Sequence, residues 1–254
     1  RLHALPAMAW FLRRDLTRNL REEANLITVR TPDTMLSTAQ DWRPGYGGDQ
    51  QHIWQATLGE RAVCFTTHPA TAEGDRDGAN TPNYWTGNGS LPRAAQVGSV
   101  VICIYKISTR PGLYITHRQR FTHAWLPKDE FDEVVEGDGW IVARKSEGYL
   151  GLWSRNPTSW DGGKPQYAGR ELVAEGTRNI WICELGTRRD NGSFEDFAAA
   201  LWSARIRTRG LSITYDSPSQ GRLRFGWRGK LTREGKVVSL GPYPRYASNT
   251  ATAA

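Results

Sequence analysis

Nowhere in the sequence do 18 apolar residues run together, so a membrane-spanning helix is excluded. Sulfur chemistry is equally thin. The three cysteines, Cys64, Cys103 and Cys183, form no CxxC pair and sit inside apolar runs (AVCF, VVICIY, IWICEL), so buried free thiols are expected and a disulfide framework is not. The five histidines show neither HxH nor HxxxH spacing, which leaves no local zinc motif. The glycine clusters GNGSLP and GYGGDQ lack the lysine and the strand–helix context of a phosphate loop, and no GxSxG occurs. No repeat or low-complexity segment is visible. Arg1 is followed by no charged n-region, apolar h-region and cleavage site, so no secretory leader is read; the opening LHALPAMAWFLRRDL suggests a mature product or a fragment.

What the 254 residues do contain is a soluble globular composition, 39% apolar and 23% charged, with eleven Trp and 26 Gly. Such a length suits one large all-β domain. Tryptophan serves both β-sandwich cores and ligand stacking, so its excess points to either use. The net charge of +7 (33 basic against 26 acidic residues) favours polyanions: nucleic acid, an anionic lipid surface or an acidic polysaccharide. Nucleic acid is disfavoured, because no helix-turn-helix, RNP or finger pattern is present.

Residues 7–24 carry Leu12, Leu16 and Leu20 at spacing four with charges between them, a helix with one apolar stripe. From residue 25 the text becomes short β-branched and aromatic runs parted by Gly, Pro, Asn and Asp. This predicts a mainly β chain, an antiparallel β-sandwich of two large sheets with an N-terminal helix and two short helices. The division is a helical segment over 1–24 and a sandwich domain over 25–254. HIWQATL and RAVCFTT form a hairpin through Gly59-Glu60, and ARKSEGYLGLWS forms another at Glu147-Gly148. The short helices are expected at 193–204, with Ser193 as N-cap, and at 126–135, opened by Pro127. A long loop over 69–98 ends in PNYWTGNG, whose Tyr and Trp should pack on something. Because the outer ends of a hairpin meet, His52 and His68 share one rim, and this loop leaves from it.

Four segments read together as a pattern: STAQDWRPGYGGDQQHIWQATLG, PNYWTGNGSLPRAAQ, THAWLPKDEFDEVVEGDGWIVARKSEGYLGLWS and YDSPSQGRLRFGWRGKL. Their order and joint presence resemble the C-terminal β-sandwich of heparinase II/III-like polysaccharide lyases and their bacterial relatives, over most of residues 25–246. The resemblance implies an α/α toroid N-terminal to the sandwich, of which residues 7–24 would be the end, and an active cleft between the two. It implies an acidic polysaccharide as partner, a secreted or periplasmic setting and a carbon–oxygen lyase activity, which this chain without the toroid need not show alone. A non-catalytic carbohydrate-binding or domain-interface module is the alternative.

Such lyases cleave a uronate glycoside by β-elimination. The carboxylate must be neutralised, the proton α to it removed and the leaving oxygen protonated. Asn, Arg, His or a metal neutralise; Tyr or His move protons. The resemblance therefore nominates His52, Asn83, Tyr84 and His123 as catalytic, and Gln51, Trp85 and Arg93 as substrate-binding. For His123 a buried, satisfied ring is the competing reading, for His52 a strand-end hydrogen bond, for Tyr84 and Trp85 plain loop anchoring, and for His68 a turn role. His117 reads as part of a solvated basic patch. The family's sandwich can hold a structural divalent metal, zinc or calcium; His52, Asp49 and His123 are long-range candidates with no motif behind them. Finally, Arg205 to Lys236 holds nine Lys/Arg against Asp216 and Glu234, with arginines at i and i+2 on one strand face. That face is either solvated or polyanion-binding.

Overall fold

Burial alternates along β-strands of the chain as a half-buried sheet requires. MLSTAQ places Leu36, Thr38 and Gln40 inward and the residues between them towards solvent. The computed structural model describes residues 24–47, 52–72, 83–108, 119–160 and 165–243. In chain order its strands are β1 (Asn25–Arg30), β2 (Met35–Gln40), β3 (Trp54–Thr57), β4 (Val63–Thr67), β5 (Arg93–Val97), β6 (Val100–Lys106), β7 (Phe121–Trp125), β8 (Glu133–Gly137) and β9 (Trp140–Lys145). They continue with β10 (Gly148–Ser154), β11 (Thr158–Trp160), β12 (Glu171–Glu175), β13 (Arg178–Thr187), β14 (Ile206–Arg209), β15 (Ser212–Ser217), β16 (Gly221–Gly226), β17 (Thr232–Arg233) and β18 (Lys236–Val237). Helices α1 (Arg188–Asn191) and α2 (Phe194–Ser203) lie between β13 and β14.

Pairing is antiparallel throughout these strands. The larger sheet runs β1-β2-β3-β4-β7-β12-β11, the second β5-β6-β13-β10-β9-β8, and the third β14-β15-β16-β17-β18. The first two make the expected sandwich. Leu36, Trp54, Cys64, Ala124 and Leu172 from one sheet meet Val101, Cys103, Leu150, Trp181 and Cys183 from the other. Cross-sheet hydrogen bonds accompany the packing: Trp181 Nε1 donates to Thr122 Oγ1 at 2.9 Å. The three cysteines are free and buried, as their apolar settings predicted.

The third sheet is a layer beyond the two-sheet expectation. Ile102, Ile104, Val142, Ile180 and Ile182, on the far face of the six-stranded sheet, pack against α2 and against Ile213, Tyr215, Leu223 and Phe225 of the third sheet. The middle sheet is thus covered on both faces. This explains why β6 and β13 read as unbroken apolar runs where a one-sided strand would alternate. Helix α2 starts as predicted, with a capping box between Ser193 and Asp196. It approaches the sheet closely at Gly186, where an added Cβ would lie 2.6 Å from Phe197 Cε2.

The helix expected over 126–135 is a single 3-10 turn, Lys128–Glu130, with Pro127 at its N-cap. The remainder becomes β8, because Val134 and Val135 pair with Ala143 and Val142 of β9, and β-branched side chains gain more from a sheet edge than from a short exposed helix. The N-terminal helix over 7–24 falls, but for Ala24, outside the described residues.

Glu184 of β13 is fully buried on the face towards the third sheet. The Tyr215 hydroxyl and Ser217 Oγ donate to its carboxylate, and the Ser219 amide donates at 3.1 Å. Burial still pushes the carboxyl above its usual value, the hydrogen bonds offsetting only part of the desolvation. A raised carboxyl contributes its full stability below the unfolded value of about 4.3 and loses it as pH rises through the folded value. Glu184→Gln cannot ionise and escapes that loss. The difference in urea midpoint between Glu184→Gln and wild type should therefore move in favour of the variant from pH 4 to pH 8. A difference that stays constant would show that the carboxyl titrates normally, and one that moves the other way that it is held low.

Candidate functional site

The outer face of the seven-stranded sheet, turned away from the sandwich core, carries His123, with Tyr84 and Trp85 packed against it. Across β4, β7 and β12 the register places Phe65 opposite Trp125 and Trp125 opposite Glu171; one step along, Thr67 lies opposite His123 and His123 opposite Val173. Cys64, Ala124 and Leu172, at intervening positions, point into the core. Thr67, His123 and Glu171 thus share a face, with His123 and Glu171 as diagonal neighbours. An outer sandwich face ordinarily meets water. Here all three side chains are 0% exposed. The segment carrying Tyr84 and Trp85 lies over them, as the packing expected of PNYWTGNG requires.

Hydrogen bonds link Tyr84, Glu171, His123 and Thr67 in this small cluster. The Tyr84 hydroxyl donates to Glu171 Oε1, and His123 Nδ1 lies 2.7 Å from that oxygen. A carboxylate accepts only, so Nδ1 carries the ring proton and Nε2 faces Thr67 Oγ1 at 2.6 Å. Trp85 stacks flat on the His123 ring, 3.9 Å between centroids and 8° from parallel. The Tyr84 ring meets His123 edge-on at 4.7 Å and stacks on Tyr167 at 6.1 Å. Trp125 and Tyr167 close the group around Trp85, at 5.3 and 5.6 Å. Of these rings Trp85, Trp125 and Tyr167 are part-exposed. A groove of about 330 Å³ beside them is lined by Arg61, Val63, Trp125, Pro127, Glu130 and Arg170.

The two rim histidines differ. His52 is exposed, stacks on Phe65 at 3.9 Å and donates from Nε2 to the Trp85 carbonyl at 2.9 Å. His68 is fully buried and donates from Nε2 to the Gln119 carbonyl at 2.9 Å, while Asn88 Oδ1 accepts from its amide. The hairpin end and the loop are therefore tied together through both. Asn83 is exposed at the start of the covering segment, its amide donating to Thr86 Oγ1. Arg93 stands elsewhere. Its guanidinium is spent on Asp41 and on the carbonyls of Gly226 and Gly229, between the sheets. Gln51, Asp49 and His117 lie outside the described residues.

His52, Asn83, Tyr84, Trp85 and His123 thus come together, and Arg93 does not join them. Glu171, Thr67, Trp125 and Tyr167 complete the group without having been singled out in the sequence. Glu171 in GRELVAEG looks like any charged residue at a strand start. Its partnership with His123, 48 residues away, arises from register alone.

Chemically, Tyr84–Glu171–His123–Thr67 is a hydrogen-bonded chain along which a proton can shift. Thr67, His123 and Glu171 have the hydroxyl–imidazole–carboxylate connectivity of a nucleophilic triad, but the fully buried hydroxyl of Thr67, at the end of β4, presents nothing to an acyl substrate. For zinc or calcium the fit is poor. Both His123 nitrogens are committed, His52 Nε2 is on a carbonyl, and among the described residues no three His, Cys, Asp or Glu come together in a way that could hold a metal ion. The chain matches no protein-family model, no curated protein and no solved structure.

Proposed function

We propose that the chain is the β-sandwich part of a heparinase II/III-like polysaccharide lyase that cleaves uronate-containing polysaccharide by β-elimination. The observation that carries this reading is the sharing of one carboxylate, Glu171, by a tyrosine hydroxyl and an imidazole beneath a part-exposed aromatic cluster. In the reaction the proton α to the uronate carboxylate leaves to a base, the electron pair forms the ring double bond, the glycosidic carbon–oxygen bond breaks, and the leaving oxygen takes a proton. Tyr84 is the proton mover, its hydroxyl oriented by Glu171. His123, on the same carboxylate, balances the charge as the proton moves. His52 and Asn83, exposed at the edge, are placed to meet the uronate carboxylate, and Trp85 to meet a sugar ring.

Burial of the proposed proton mover Tyr84, only 5% exposed, and of His123 and Glu171 favours a second reading, in which the network only fastens the covering segment and the part-exposed Trp85, Trp125 and Tyr167 bind sugar without chemistry. Ultraviolet absorbance of the unsaturated uronate product separates the two. On the lyase reading the chain joined to its α/α toroid gives that product from polyuronate, and Tyr84→Phe lowers kcat by about 10²-fold or more while the chain stays folded. Retained polysaccharide binding with no product leaves the module; neither binding nor product sinks both.

A further inference from the structure

The nine lysines and arginines between Arg205 and Lys236 fall on and around the third sheet, and register decides where they point. Arg207 pairs with Thr214, Thr214 with Arg224 and Arg224 with Thr232; two residues further along β15, Asp216 pairs with Arg222. The alternate residues Ile213, Tyr215, Leu223 and Phe225 are buried against the middle sheet. Alternation therefore sends Arg207, Arg222 and Arg224 to the opposite, outer face. Arg209, Arg228 and Lys230 are exposed beside them. Two carboxylates stand in this field, Asp216 and Glu234, whose Oε1 accepts from the Arg222 amide. Asp216 is held below the usual carboxylate range, chiefly by the Arg222 Nε hydrogen bond at 2.7 Å and further by the charges of Arg205 and Arg207. Two shallow grooves of about 170 and 550 Å³ adjoin on the face, with Thr214 and Arg222 in the walls of both.

A merely solubilising surface intersperses both signs. Here nine cations crowd around two acids, a self-repulsion that a bound anion relieves. We propose that this outer face of the third sheet is a binding surface for an anionic glycan, a chain of sulfated or carboxylated sugars, separate from the site around Tyr84. Guanidinium forks match sulfate and carboxylate oxygens, and Ser212, Thr214 and Thr232 set hydroxyls between them. Nucleic acid fits less well. The rings of β15 and β16, Tyr215 and Phe225, point into the core, so the strands offer no stacking platform for single-stranded bases. A five-stranded face, about 19 Å across at about 4.8 Å per strand, is also too wide for a major groove of about 12 Å.

The choice of a glycan rests on the proposed function; the test measures binding alone, so absence of cleavage leaves it untouched. Fluorescence anisotropy would compare a labelled heparin-type sulfated oligosaccharide, a polyuronate, a neutral glycan, single-stranded poly-dT and a DNA duplex, all at one salt concentration. Arg207→Ser/Arg224→Ser should weaken binding of the anionic glycans about tenfold or more and make the slope of log affinity against log salt shallower by about 1 to 2. Arg188→Ser/Arg189→Ser removes the same charge from exposed positions off this face and should bind as wild type. Equal affinity of the two double variants would overturn the proposal. Tighter binding of either DNA than of both anionic glycans would overturn it in favour of a nucleic-acid surface.

Discussion

Glu171→Ala should lower the unfolding free energy by about 3–5 kcal/mol, in the range for a buried ionic partner removed from one side. The carboxylate accepts from both the Tyr84 hydroxyl and His123 Nδ1, and all three groups are buried, Tyr84 coming from the covering segment. Truncation takes a shared acceptor from two buried donors, each loss costing about 1–3 kcal/mol, and opens a cavity besides. For a chain of this size the melting temperature should fall by roughly 10 °C. Trp85, stacked on His123, reports the event locally: its emission should shift to longer wavelength as the segment loosens. Glu171→Gln, which keeps the volume and one accepting oxygen, should lose clearly less. If Glu171→Ala costs under about 1 kcal/mol, the carboxylate is not what seats the segment, and the proposed orientation of Tyr84 loses its basis.

The same cluster marks where sequence reasoning reached and where it stopped. Local chemistry was legible. Ser193 and Asp196 announced α2, Glu147-Gly148 announced a hairpin, and the alternation of HIWQATL and RAVCFTT put His52 and His68 at one end of a strand pair. Long-range pairing was not. That β4 and β12 flank β7, so that Thr67 and Glu171 meet His123 from two sides, is a property of sheet order with separations of 56 and 48 residues. Covering of the outer face was equally invisible, because a loop that packs on a sheet and a loop in water share their Gly, Asn and Pro content. The third sheet escaped for a related reason. Its arginine-rich strands read as the outer face of a sandwich, which they are, but nothing local says that their apolar side meets the back of the middle sheet rather than closing a second layer.

Arg93→Ala should cost about 3–4 kcal/mol, an effect on stability and not on sugar affinity. Arg93 opens β5 in the middle sheet with its side chain only 12% exposed. Nε and Nη2 fork onto the Asp41 carboxylate at 2.8 and 3.0 Å, just after β2 of the larger sheet. Nη1 donates to the Gly226 and Gly229 carbonyls at 2.7 and 2.8 Å, at the end of β16 in the third sheet, and the guanidinium lies 4.7 Å from the Phe225 ring centroid. One side chain thus joins all three layers. The parts do not weigh equally. Asp41 is about a third exposed, so water screens and replaces much of that pairing. The exposed Gly229 contact is replaced by water as readily, whereas the part-buried Gly226 contact and the packing on Phe225 have no such substitute and dominate the loss. Arg93→Lys should recover less than half, because a single ammonium cannot fork to a carboxylate and reach two carbonyls together. Thermal melts of both variants, read beside polyuronate affinity per folded molecule, test this. A variant with an unchanged melting temperature and lost affinity would return Arg93 to the substrate-binding role that the sequence suggested.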